Sequence, residues 1–336
     1  MIPRTDATLP SPDAALAIPA VAGDAPRAPA FLADVSELTK PRITRLVTIT
    51  SAVGFAMGAM TIGRVSSDLL WVAIVTMLGT ALCSSGASAL NEWIERDRDG
   101  RMRRTADRPI PAGRLRPRHG LLIGAALSAV GVLALWSLVN WASAAVALAT
   151  IVSYVWVYTP LKPYTTLATV VGAAPGALPP LIGWTAAFGT VARSADAPLP
   201  WHGLDHPGGW AIFFLMFVWQ IPHFLAIAWR HREDYARGGH RVLPVIDPSG
   251  ARTVQATLIW TGAMIPASLG VVWAMPQLLG WAYTATAILL GAWFFRAAWR
   301  FAATRADADA RRLFIVSVIY LPLVMGAMVV DAALIP

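Results

Sequence analysis

The sequence predicts an all-α, polytopic membrane protein with nine transmembrane helices. Three observations predict it. Of 336 residues, 56% are hydrophobic and only 14% are charged, where a soluble globular domain carries about 25% charged residues. Nine apolar stretches each approach the length of about 20 residues that a helix needs to cross a bilayer. Finally, 25 of the 27 Lys and Arg residues fall in alternate loops, the asymmetry expected of a chain threaded repeatedly through a membrane. A soluble enzyme with a large core is excluded by the mean hydropathy of +0.56. The formal charge of +8 then reports orientation rather than affinity for nucleic acid, and no nucleic-acid partner is expected.

The chain divides at residue 35. Residues 1–35 are Ala- and Pro-rich and contain Asp6, Asp13 and Asp24. They lack an apolar run after a basic start, so they read as a disordered tail rather than a signal peptide. Residues 36–336 form one nine-helix transmembrane domain. Its spans fall at about 46–63, 69–90, 120–139, 141–158, 166–189, 210–229, 254–273, 277–295 and 313–333. The third and fourth meet at Asn140 in a tight hairpin. Trp71, Trp141, Trp210, Trp281 and Trp293 lie near span ends, as an aromatic belt does. The basic loops are the N-terminal side and 91–119, 159–165, 230–253 and 296–312; Arg64 and Arg193 alone fall opposite. This puts the N-terminus and the basic loops in the cytoplasm and the C-terminus across the cell (inner) membrane. The single cysteine, Cys83, lies inside a span and reads as a small core hydrophobe.

Three stretches carry chemistry. In "LNEWIERDRDGRMRRTADRP" (90–109), Asn91, Glu95 and Asp99 recur every four residues. On a helix they form one stripe, rising about 6 Å per step. Glu92 and Asp97 point elsewhere. Carboxylates this close repel unless partnered, and a hard divalent cation such as Mg²⁺ resolves that with substrate phosphates as co-ligands. The arginines that follow suit phosphate oxygens; a solvated, locally paired loop is the plainer alternative. In "WQIPHFLAIAWRHREDYARGGHRVLP" (219–244), Pro222 should loosen the sixth helix beside His223, and Glu233 and Asp234 form a second acidic cluster near Arg230, Arg232 and Arg237. In a continuous helix Asp234 would share His223's direction, and Gly238 and Gly239 should end it. An intramembrane His marks a functional site by default, although a hydrogen bond to a neighbouring helix would also explain it. His119, His231 and His240 read as loop residues, and His202 and His206 as surface residues of the opposite loop. In the third stretch, Lys162 is the single basic residue of its loop, a topology charge or a diphosphate ligand, and "GAAPGALPP" should break the fifth helix. Two acidic clusters with adjoining cations at the mouths of apolar helices suit a diphosphate joined to a hydrocarbon tail.

"NxxxExxxD" at 91–99 resembles the first aspartate-rich motif of the UbiA superfamily of intramembrane prenyltransferases. "LTKPRIT" (38–44), the 91–109 stretch, "YTPLKP…GAAPGALPPLIGW" and "PHFLAIAWRHREDYARGG" resemble its haem-farnesylating branch. The resemblance implies a helical bundle around a central cavity. It implies an enzyme that converts haem b to haem O by transferring farnesyl from farnesyl diphosphate to a vinyl group, with addition of water and release of diphosphate. It further implies Mg²⁺ as cofactor, haem b and farnesyl diphosphate as substrates, membrane lipid as surroundings, and contact with a haem A synthase or terminal oxidase. Under it, Asn91, Glu95, Asp99, Glu233 and Asp234 hold metal. Arg104, Arg108, Lys162 and Arg232 bind diphosphate. His223 positions haem, with Tyr158, Phe224 and Tyr235 facing the prenyl cation. Asn91, Glu95, Asp99, Lys162 and Asp234 are the catalytic set. The alternatives are a UbiA-type enzyme prenylating a quinone precursor and a non-catalytic haem or lipid transporter.

Overall fold

The computed structural model describes residues 31–63, 67–189 and 201–335, whose regular structure is helical with no strand among them. Residues 1–30 of the expected tail lie outside the described residues, as do Arg64, Arg193 and the side chain of His202. The short helix Phe31–Leu38 begins inside the stretch read as tail. Arg114 ties it down by pairing with Asp34 at 2.8 Å and with Glu37.

Among the described residues nine long helices follow: α1 (Pro41–Thr61), α2 (Ser67–Asp99), α3 (Pro117–Leu138), α4 (Trp141–Leu161), α5 (Ala168–Gly189), α6 (Pro207–Arg230), α7 (Ala251–Ala274), α8 (Trp281–Thr304) and α9 (Asp307–Leu334). Eight are long and apolar enough to cross a membrane. The other, α8, has 24 residues, about 36 Å of helix. Tyr283, Thr284, Thr286, Arg296 and Arg300 dilute its hydropathy, so the nine spans read from sequence become eight by composition. All five belt tryptophans lie on the outer surface.

Several boundaries have a local cause. Asn140 caps α4, its Oδ1 accepting from Ser143 N at 2.8 Å, a cap of about 1 kcal/mol. This makes the tight α3–α4 turn. Pro175, Pro179 and Pro180 interrupt α5 at Leu178, as its Gly/Pro content foretells. Pro222, by contrast, does not break α6, which runs through it to Arg230. The chain turns instead at His231 (φ −115°), and a separate short helix, Arg232–Arg237, ends at Gly238 and Gly239. A common direction for His223 and Asp234, argued from a continuous helix, therefore does not hold.

Helices in lipid associate by close packing rather than by leaving water. A Cβ at Gly54 of α1 would lie 1.9 Å from the Pro180 carbonyl oxygen, and one at Gly183 of α5 1.8 Å from that of Ser51. These two positions let α1 and α5 touch backbone to backbone. α2 packs on α3, α6 on α5, α7 and α9, and α9 reaches back to α1, which closes the bundle. The basic loops gather at one end, where α1 and α5 begin and α2 and α6 finish.

Candidate active site

α2 does not stop at the predicted edge near residue 90 but continues to Asp99. That extension puts Asn91, Glu95 and Asp99 on helix, and all three are buried, at 2%, 4% and 1% exposure. Asn91 Nδ2 donates to Glu95 Oε2 at 2.8 Å, the one-turn contact their spacing dictates. Each residue also holds a cation from a different segment. Lys40 Nζ donates to Asn91 Oδ1 at 2.9 Å, Lys162 Nζ to Glu95 Oε2 at 2.9 Å, and Arg108 to Asp99 Oδ2 at 2.6 Å. Glu92, expected to point away, is also buried, and its Oε1 accepts from Ile110 N at 3.1 Å, pinning the loop that follows α2.

These groups surround a cavity of about 170 Å³ at the basic end of the bundle. Of the site residues expected from sequence, Asn91, Glu95, Asp99, Arg104, Arg108, Tyr158, Lys162, Phe224 and Tyr235 line it. α4 reaches it through a π-helical turn at Ser153–Tyr158, a feature that redirects side chains and recurs at functional sites. Tyr154 and Tyr158 thereby face the cavity with rings 5.6 Å apart, and Lys162 Nζ lies 4.6 Å above the Tyr158 ring. Arg104 lies 5.8 Å from the Tyr235 ring centre.

The other expected residues are elsewhere. Asp234 accepts from the backbone N–H groups of Arg103 and Arg104, at 3.1 and 3.2 Å, and pairs with Arg237. Its carboxylate thus holds the loop that carries Arg104. Arg232 pairs with Asp307 at 2.8 Å, and Glu233 is exposed. Both line, with Asp234, a separate cleft of about 200 Å³. His223 sits between α6 and α9, stacked on Trp219 at 4.8 Å, with Nδ1 2.8 Å from Ser317 Oγ. The Ser317 hydroxyl donates to the Phe314 carbonyl at 2.6 Å. An Nδ1–H tautomer of His223 would suit that arrangement and leave Nε2 as an acceptor.

Three titratable residues of the cavity were missed as site residues: Lys40, Tyr154 and His240. His240, read as a loop residue, is 3% exposed. Lys40 carried a signal in the "TKPR" sequence, because a residue before proline is confined to few backbone conformations. It adopts the left-handed region (φ 50°, ψ 64°), at a cost of roughly 1–2 kcal/mol for a side chain with Cβ. Burial, together with the Arg108 charge, lowers its pKa to about 8. Burial also pushes Lys162 down, but the Glu95 carboxylate in direct contact lifts it above the ordinary lysine value. Lys40 touches a neutral amide instead, which explains the contrast.

The oxygens of Asn91, Glu95 and Asp99 suit a hard cation. Glu95 Oε1 is buried with no hydrogen-bond partner among the described residues, an oxygen left over in a residue that lines the cavity. Among the described residues no group of three or more His, Cys, Asp and Glu side chains is placed to hold a metal unaided. Glu95 and Asp99 supply the one or two carboxylates with which Mg²⁺ is usually bound beside substrate phosphates and water.

Residues 48–319 match the UbiA prenyltransferase family. The chain belongs to that family. A protoheme IX farnesyltransferase of Solibacter usitatus is 42% identical over 306 residues, covering 89% of this chain and 98% of that protein. One from Opitutus terrae is 40% identical over 311 residues, 91% and 97% of the two chains. Among solved structures, a UbiA homolog from Aeropyrum pernix K1 superposes with a TM-score of 0.65 at 19% identity, covering 85% of this chain and 98% of that one. A UbiA homolog from Archaeoglobus fulgidus bound to GPP and Mg²⁺ gives 0.57 at 15% identity, covering 88% and 99%. The UbiA fold of a multi-pass membrane protein, expected from the motifs, is thus shown.

Proposed function

We propose that the cavity at the basic end is the prenyl-diphosphate site of a haem farnesyltransferase. The chain is a protohaem IX farnesyltransferase by its kinship with the proteins of that name, and it converts haem b to haem O. The observation that carries the residue assignments is the meeting of the Asn91–Glu95–Asp99 stripe with Lys40, Arg104, Arg108 and Lys162 around one cavity.

In this reading Asn91, Glu95 and Asp99 hold Mg²⁺. Bound there, the ion supplies Lewis-acid neutralisation of the departing diphosphate. Lys162, Arg104 and Arg108 donate to the diphosphate oxygens and meet the charge that grows as the C1–O bond breaks, the kind of prearranged stabilisation that lowers barriers most. The faces of Tyr154, Tyr158, Phe224 and Tyr235 lie beside the allylic carbon and stabilise its positive charge. The terminal vinyl carbon of haem forms the new bond to C1. Water then adds to the adjacent vinyl carbon and gives up a proton, which leaves the hydroxyethylfarnesyl group. His223 positions the acceptor through Nε2. Asp234 serves by holding the Arg103–Arg104 backbone in place. The charge asymmetry of the loops supports an inner-membrane enzyme whose site opens to the cytoplasm and whose C-terminus lies opposite.

The test is purified protein in lipid nanodiscs with haem b, farnesyl diphosphate and Mg²⁺, read by chromatography and mass. A porphyrin heavier by one farnesyl group and one hydroxyl is expected. Prenylation of a hydroxybenzoate, with haem untouched, would overturn the reading.

A further inference from the structure

We propose that Arg230 and Arg103 form a carboxylate clamp for the propionates of the porphyrin acceptor, at the end of a face of α6 on which the porphyrin lies. The inference rests on the haem-farnesylating reading and adds where the acceptor sits.

Three observations carry it. From Trp219 to Arg230 the helix is buried except at four partly exposed residues: His223, Phe224, Ile227 and Arg230. Offsets of one, four and seven residues put these four on one side of a helix. An open strip about 10 Å long thus runs down α6, aromatic and aliphatic until its last residue. Phe314 of α9 flanks the strip. Its ring lies 5.1 Å from that of His223 and 5.8 Å from the Arg230 guanidinium. Phe224, which lines the prenyl cavity, meets the His223 ring edge-on at 5.7 Å. The strip therefore joins the prenyl cavity at one flank and the second, 200 Å³ cleft at its end.

That cleft has cations to spare. Arg232 and Arg237 are spent on Asp307 and Asp234. Arg230 and Arg103 have no carboxylate partner among the described residues, and the cleft's remaining carboxylate, Glu233, is exposed. One guanidinium at the end of the aromatic strip and a second lining the same cleft match a flat macrocycle with two carboxylates on one edge. Guanidinium binds carboxylate in a planar fork. Haem b carries its vinyl groups away from its propionates, so anchoring the propionates here leaves the vinyl edge free to face the Phe224 flank and the prenyl cavity. The phosphate of an acidic lipid headgroup would suit the same cations, and the test separates the two.

The experiment compares haem b with its dimethyl ester on the wild type, Arg230→Gln, Arg103→Gln and Arg230→Lys in nanodiscs. Arg230→Gln and Arg103→Gln should each raise KM for haem about tenfold, the size of one charge-assisted contact, with KM for farnesyl diphosphate unchanged. The ester should penalise the wild type and add little to the loss in the variants. Arg230→Lys should recover part of the haem affinity. Equal use of haem and ester by the wild type would overturn the clamp, without any variant. So would a parallel rise in both KM values, or a variant effect present in anionic-lipid discs and absent in zwitterionic ones. A wild type that farnesylates neither porphyrin would instead refute the haem-farnesylating reading itself.

Discussion

Lys40 Nζ lies 2.9 Å from Asn91 Oδ1, at the start of the three-residue stripe. The lysine belongs to the segment before α1 and the asparagine to α2, so a strained residue at one helix entrance touches the buried end of another. Its neighbours in charge are Arg108, Glu92, Glu95 and Asp99. Burial lowers its pKa to about 8, so the free enzyme carries the charge below that pH and loses it above. The expected outcome is a kcat/KM for farnesyl diphosphate that falls as pH rises through about 8, since this parameter reports the free enzyme. Lys40→Arg should move that limb to higher pH, and Lys40→Met should remove it along with most of the activity. A wild-type limb retained in Lys40→Met would assign the titration to another group.

Asp99→Ala removes the partner of Arg108 and one oxygen of the stripe. Product formation should drop by about two to three orders of magnitude, the size of losing a preorganised electrostatic contact at a reacting centre. Haem O measured by chromatography in membranes with matched protein levels checks it, and undiminished haem O would remove Asp99 from the site.

His223→Ala should raise KM for haem about tenfold and leave that for farnesyl diphosphate nearly unchanged, because the ring contacts α9 and the acceptor strip rather than the arginines of the prenyl cavity. Equal changes in both constants would mean that the ring merely supports packing.

Asp234→Ala should strand the part-buried Arg103 and Arg104 N–H groups, at a cost of about 0.5–1.5 kcal/mol for each hydrogen bond lost. Hydrogen exchange at amides 103–104 should quicken. Burial pushes the Asp234 pKa up, but the hydrogen bond from Arg237 and the two amides pull it further down, below the usual carboxylate value. A depressed acid contributes stability above its unfolded value, near 3.8, and loses it as pH falls through the lower folded value. Exchange protection of this loop should therefore hold at pH 5 and above and fail in acid. Protection unchanged in Asp234→Ala would deny the carboxylate its anchoring role.

Gly183→Ala should lower the yield of folded protein, because its Cβ would meet the Ser51 carbonyl at 1.8 Å. Thermal unfolding in detergent measures it; a normal melting temperature would show that α1 and α5 can separate at little cost.

Much of this was legible in the sequence, for stated physical reasons. Apolar length and loop charge gave the spans, and four-residue spacing gave the stripe because α2 stays helical to Asp99. Asn140 and the prolines of α5 acted locally, as caps and breakers do. What escaped depended on tertiary neighbours. Pro222 failed to break α6 because that helix is packed on several sides, and the turn came at His231, where no strong breaker stands. Lys40 and His240 reach the cavity from segments distant in sequence, and spacing within one helix cannot report that. The π-helical turn of α4, which brings Tyr154 to the site, has no signature in a string of aromatic and β-branched residues. The contacts of Asp234 with two backbone amides and Arg237 also arise only when distant segments meet.

The three cation contacts along the stripe come from three separate stretches of chain, at residues 40, 108 and 162. The mouth is thus electrically self-contained, with its anions neutralised by its own side chains. A divalent ion arriving alone would find one oxygen of Glu95 and one of Asp99 taken and would face three nearby positive groups; a polyphosphate alone would have to draw Lys162 and Arg108 off their carboxylates. Arriving together, the two swap partners with the protein and leave the charge tally almost as it was. The wiring favours joint entry of metal and pyrophosphate ester over either one by itself.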